Sequence, residues 1–182
     1  WRYADAEALL SRCLELAPSF IAARHNYAIV LYRQNRAAEA LAHINPLLEA
    51  DPTDPGYRNL KAAAMSLIGE YIEAIGLYEG VRAEHPGQVK AWLSYGHARK
   101  TAGRTADSIA AYRRSLSLAP TYGEAWWSLA NLKTFRFTAD DIEQMTASLA
   151  RPDLSDDDRL HLHYALGKAL EDAADYPRSF EH

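Results

Sequence analysis

The stretch Gly69-Glu70-Tyr71-Ile72-Glu73-Ala74-Ile75 decides the fold. A glycine followed by a polar residue makes a tight turn, and a segment opens behind it with a small side chain, Ala74, flanked by larger apolar ones. Twelve residues past Ala74 stands Pro86, which cannot continue a helix and biases its predecessor away from one. The same punctuation recurs at Pro18, Pro52, Pro86 and Pro120, every gap being 34 residues. Ala6, Ala40, Ala74 and Ser108 lie twelve residues before these prolines. Cys13, Leu47, Val81 and Ser115 lie five before, and Leu10, Ile44, Tyr78 and Tyr112 eight before. Ala28, Ala62 and Gly96 lie twenty-four before the last three, and Ala130 continues that series.

A fixed period of this length marks a stacked array of helical hairpins. Small residues let two helices approach to about 8–10 Å between axes. The larger Ile, Leu and Tyr fill the space between neighbouring hairpins. Asn35-Arg36, Gly69-Glu70 and Gly103-Arg104 are the turns within the hairpins. The pattern predicts an all-α, right-handed superhelical solenoid. Residues 1–20 read as the second helix of a truncated hairpin, and full hairpins follow at 21–54, 55–88 and 89–122. Residues 123–153 read as a degenerate hairpin and 154–182 as the start of a further, truncated one. Thr138 with Asp141, and Ser155 with Asp158, have the spacing of capping boxes that open helices. Arg58 and Lys61 occupy slots that call for large apolar residues, which predicts loose packing there. Both ends read as cuts in a longer polypeptide.

The stretches Gly69 to Ile75 and Ala91-Trp92-Leu93-Ser94-Tyr95-Gly96 resemble the tetratricopeptide repeat family. The resemblance implies a module that binds protein or peptide rather than an enzyme. In that family the first helices of the hairpins line the concave surface. The repeat frame then places His25, Tyr32 and Arg33 there, with Asn59, with Lys90, His97 and Lys100, and with Trp127 and Asn131. Ile29, Ala63, Ser66, Leu93 and Phe135 fall in the same rows. Aromatic, amide and basic groups together suit an extended peptide. Some family members clamp chaperone tails with lysine, asparagine and arginine; of His25, Ile29, Leu60, Lys90 and Ser94 in those slots, only Lys90 fits.

Other chemistry is hard to assemble. No phosphate-cradling glycine loop, G-x-S-x-G or H-E-x-x-H occurs, so no catalytic residue and no cofactor is assigned. His161 and His163 lie two apart, a spacing that on a helix points them to different faces, so no metal is assigned and one is expected exposed, the other packed. Asp153 with Asp156 to Asp158 lacks the glycine and ligand spacing of a calcium loop. Cys13, the single cysteine, falls in a small-residue slot and is expected buried. Of Trp126 and Trp127, one is core.

With 48% apolar residues and a net charge of −4, the 182-residue chain is globular in composition. It has no apolar run long enough to span a membrane. The charge is uneven: residues 1–137 carry a net +3 and residues 138–182 a net −7. An RNA-binding helical repeat needs a basic groove, so no nucleic acid partner is expected. One cysteine fits a cytoplasmic setting, and the exposed solenoid ends suit self-association.

A second resemblance lies in the irregular end. Tyr122-Gly123-Glu124-Ala125-Trp126-Trp127-Ser128-Leu129-Ala130-Asn131-Leu132-Lys133-Thr134-Phe135-Arg136-Phe137 and the segment from Leu154 to Asp172 are similar to bacterial proteins that fuse tetratricopeptide repeats to a sulfotransferase domain. That resemblance implies a parent enzyme moving a sulfuryl group from 3′-phosphoadenylyl sulfate to a hydroxyl, with this chain as its helical arm. A free-standing adaptor is the alternative.

Overall fold

The computed structural model describes residues 3–182. Among them lie eleven helices and no strand. The backbone divides into two units, one running to Pro86 together with residues 101–103, the other made of residues 87–100 and 104–182.

The first unit holds α1 (Tyr3–Leu16), α2 (Ile21–Arg33), α3 (Ala37–Ala50), α4 (Pro55–Leu67) and α5 (Tyr71–Glu84). Its small in-phase residues Ala28, Ala40, Ala62 and Ala74 are wholly buried, which is what allows α2 against α3 and α4 against α5 to pack closely. Leu31 and Ile44 fill the space beside them. Asp54 caps α4 by accepting from Tyr57 N at 2.8 Å, with Pro55 in the first turn where a missing N–H costs nothing. Pro46 sits inside α3 and deletes one helical hydrogen bond, a feature the repeat pattern does not announce. Residues 1 and 2, assigned from sequence to the first helix, lie outside the described residues.

Two expectations need correction here. Cys13 is only half-buried: α1 packs on α2 and, among the described residues, buries none of its own fully. Loose packing at Arg58 is also wrong. Its side chain is 15% exposed, bonds Glu84 at 2.6 Å, and its guanidinium fills the space that a side chain at Gly80 would occupy. A cation therefore replaces the apolar residue by exploiting a glycine on the facing helix.

The second unit holds α6 (Val89–Thr101) up to Lys100, α7 (Thr105–Leu118), α8 (Gly123–Ala130), α9 (Ala139–Leu149), α10 (Asp156–Asp172) and α11 (Tyr176–Ser179). Its core joins Leu93, Tyr112, Trp126, Leu129, Met145, Leu162 and Leu166. Gly96 on α6 faces the ring of Tyr112 on α7; a Cβ there would lie 2.6 Å from Tyr112 Cδ1. Ser115, one turn on, donates to Val89 O at 3.1 Å.

After α8 the period breaks. Asn131 ends the helix, and residues 132–137 turn back so that Leu132 is buried and Phe135 and Phe137 pack on the core. Thr138 and Asp141 form the full capping box at α9. Ser155 and Asp158 form only half of one. Ser155 Oγ accepts from Asp158 N, but the Asp158 carboxylate accepts from Gly123 N at 2.9 Å instead of from Ser155 N. That bond ties α10 to the start of α8, where a Cβ on Gly123 would stand 2.8 Å from Asp158 Cα.

Candidate functional site

The rows expected from sequence are divided between the two units. In the first, His25 on α2 is half-buried with its ring edge-on to Tyr57 at 5.0 Å. Tyr32 is half-buried, and the Arg33 guanidinium lies 6.0 Å from its ring. Asn59 is half-buried on α4.

The second unit brings more of the expected residues together. Lys90, His97 and Lys100 lie along α6 at intervals of seven and three, so they share one side of it. Lys90 and Lys100 are exposed at either end, and His97 is half-buried between them. The Tyr112 hydroxyl meets His97 Nδ1 at 3.1 Å. Burial holds the His97 imidazole below its usual range; Glu124 on α8 pulls the other way and Lys100 adds to the depression. Burial, with the charge of Glu124, pushes the Tyr112 phenol up. Leu93 of α6 shares a buried cluster with Ala125, Trp126 and Leu129 of α8.

Trp126 is wholly buried, its Nε1 donating to Pro120 O at 2.8 Å. Trp127, next in sequence, turns outward and is 39% exposed. Its ring lies 5.6 Å from that of His161 on α10. Asn131 donates its side-chain amide to Trp127 O at 2.9 Å, which braces the same turn. Tyr164, one turn along from His161, is 63% exposed. The repeat frame, broken after Pro120, did not assign it.

Several expectations fail at side-chain level. Leu93 is buried in the core and Phe135 packs on it, beneath the Arg113 guanidinium at 5.2 Å, so neither lines an open face. His161 and His163 do not divide into one exposed and one packed: both are half-buried. His161 faces Trp127, whereas His163 Nδ1 lies 2.9 Å from His182 Nδ1. Among the described residues no group of three or more His, Cys, Asp or Glu could hold a metal, and no helix is long and apolar enough to cross a membrane. A separate cavity of about 650 Å³, between α9 and the α10–α11 turn, contains none of the expected residues; its walls include Ala147, Leu170, Glu143 and Arg178.

Paired helices whose first members present polar and aromatic side chains define a class, the helical-repeat protein-interaction module. The chain belongs to the tetratricopeptide repeat family: sequence models of that repeat match residues 2–64 and 68–123. Solved structures agree in fold. A thermophilic tetratricopeptide repeat protein of Thermus thermophilus, TTC0263, is 20% identical with a TM-score of 0.72, the match covering 91% of each chain. MamA is 15% identical with a TM-score of 0.60 over 97% of this chain and 91% of its own. In the APC/C hetero-tetramer Cut9–Hcn1, the match is 17% identical with a TM-score of 0.62, covering all of this chain and 34% of the other. None of the curated proteins compared matches the sequence.

Proposed function

We propose that this chain holds a partner peptide against the outward rows of its first helices. The observation that carries the reading is the Trp127–His161 pair. A large aromatic ring is left open to solvent, braced by a second ring on the adjacent first helix, while its neighbour Trp126 is wholly buried. Screening the 182-residue chain against an array of immobilised peptides tests it. A discrete set of binders, weakened by Trp127→Ala, is expected; an array with no binder overturns the reading.

We further propose that the chain is the helical arm of a sulfotransferase and that it positions the acceptor or mediates assembly. The support is the likeness of residues 122–137 and 154–172 to repeat–sulfotransferase fusions. The coding sequence beyond residue 182 decides this. A glycine- and arginine-containing phosphate loop following a strand is the expected finding. A stop codon soon after one capping helix indicates a free-standing adaptor instead. The isolated chain is expected to give no heat with the bisphosphate nucleotide product of 3′-phosphoadenylyl sulfate, and micromolar binding would reveal an unassigned nucleotide site.

A further inference from the structure

We infer that the face shared by α6, α8 and α10 takes an acidic peptide segment bearing an aromatic side chain; this rests on the peptide-binding reading and names the partner's chemistry. The first ground is charge. Residues 87–137 carry eight Lys/Arg against two Asp/Glu, a net +6. Asp107 accepts from Arg99 at 3.2 Å, and Glu124, held by the Tyr122 hydroxyl at 3.0 Å, keeps a single negative charge against this excess. Arg113 and Arg136 reach Asp141 and Asp172. Lys90 and Lys100 are exposed, and neither has a carboxylate partner among the described residues. They stand roughly 15 Å apart along one side of α6, as ten residues of helix require. Carboxylates from a partner supply what the chain does not.

The second ground is the aromatic side chains of α8 and α10. Trp127 and Tyr164 are open to solvent, and His161 holds the indole from the side. A flat ring from a partner gains offset or edge contact with such rings, which an aliphatic side chain does not reproduce. The two halves of the face are joined through the core: Leu93 of α6, Leu129 of α8 and Leu166 of α10 share one buried cluster, and Trp127 of α8 meets His161 of α10.

A polyanion such as RNA is a poorer fit. Its charge repeats at every nucleotide, and a strand long enough to follow the face onto α10 meets Asp156, Asp157 and Asp158 in the first turn of that helix. A short acidic segment engages α6 and leaves an uncharged ring for α8 and α10.

The test uses labelled peptides in fluorescence anisotropy with the 182-residue chain. One peptide places Phe between clusters of Glu. A second replaces Glu by Lys, a third replaces Phe by Ser, a fourth replaces Glu by Gln, and a short single-stranded RNA completes the set. The acidic aromatic peptide is expected to bind tightest and to lose about tenfold in affinity between roughly 50 and 300 mM salt. The double variant Lys90→Glu/Lys100→Glu and the variant Trp127→Ala are each expected to weaken it by about tenfold or more. All substituted side chains are solvent-exposed, and an unchanged circular dichroism melt confirms that the fold persists. Equal or tighter binding of the Lys peptide, indifference to the charge reversal, or tighter binding of the RNA overturns the inference. Binding of the Gln peptide alone overturns it too while leaving peptide binding intact; failure of every peptide overturns both readings.

Discussion

Arg113 on α7 donates to both carboxylate oxygens of Asp141, 28 residues further along the chain, its Nη2 lying 2.7 Å from Oδ2. The Asp141 side chain is only 5% exposed, and the same carboxylate accepts from Thr138 N at 2.8 Å, so one group both starts α9 and fastens it to α7. The Arg113 guanidinium also lies over the rings of Trp126 and Phe135. Burial alone would raise the Asp141 carboxyl; the bonds from Arg113 and Thr138 outweigh it and hold the group below the ordinary carboxylate range. A depressed carboxyl contributes stability that is present above its unfolded value, about 4, and lost as pH falls further. Arg113→Met leaves a buried charge unpaired and is expected to cost about 3 kcal/mol in urea denaturation at neutral pH. Arg113→Met/Asp141→Leu is expected to recover part of that loss. Additive losses would show that the two side chains do not act as a pair.

Gly96 faces Tyr112 so closely that even a methyl group must displace a buried ring. Gly96→Ala gains about 1 kcal/mol of helix propensity, but overpacking against an immobile ring costs about 1–3 kcal/mol. Gly96→Ala is therefore expected to destabilise, and Gly96→Leu more so, with looser surroundings at His97 and Lys100. Combining Gly96→Ala with Tyr112→Leu should cost less than the sum of the two. A wild-type melting temperature for Gly96→Leu would refute the register of this hairpin.

Asn35, Gly69 and Gly103, spaced by the repeat period, and Ala174 all have positive φ, 63°, 91°, 76° and 60° respectively. Space is open around Gly103, so Gly103→Ala pays only for the left-handed backbone, about 1 kcal/mol. Ala174 already bears that strain. Ala174→Gly relieves it but frees the unfolded chain, for a net gain of roughly 0.5 kcal/mol. Opposite shifts in the two urea midpoints are the expected result; shifts of one sign contradict the turn geometry.

His97 is held below its unfolded value, about 6.5. The unfolded chain therefore takes up a proton first as pH falls, and stability declines from that value downward. The urea midpoint should drop between pH 7.5 and 5.5, a window separate from the more acidic one of Asp141. His97→Gln, which can still accept from the Tyr112 hydroxyl, should flatten that dependence. An unaltered pH profile in this variant assigns the effect to other groups.

The hairpin frame was legible because it depends on local rules. Prolines stop helices, small residues mark crossings, and a 34-residue period makes each unit reinforce the reading of the one before. Capping at Thr138 was legible for the same reason, since its partner is three residues away. Asp158 had the same spacing from Ser155, yet its carboxylate went to Gly123, which the fold brings near from 35 residues back.

Helix order, turn positions and the division of Trp126 and Trp127 into one inner and one outer ring followed from the sequence by itself, because helical periodicity and chain stiffness are local. Only the tertiary structure decided that Arg58 fills the gap over Gly80, that Tyr112 confronts Gly96, and that His161 stands beside Trp127. Each of these pairs joins different helices across a distance in sequence that no local rule spans. Their contact depends on the angle and depth at which two helices pack, and that is settled by the summed fit of all the side chains between them.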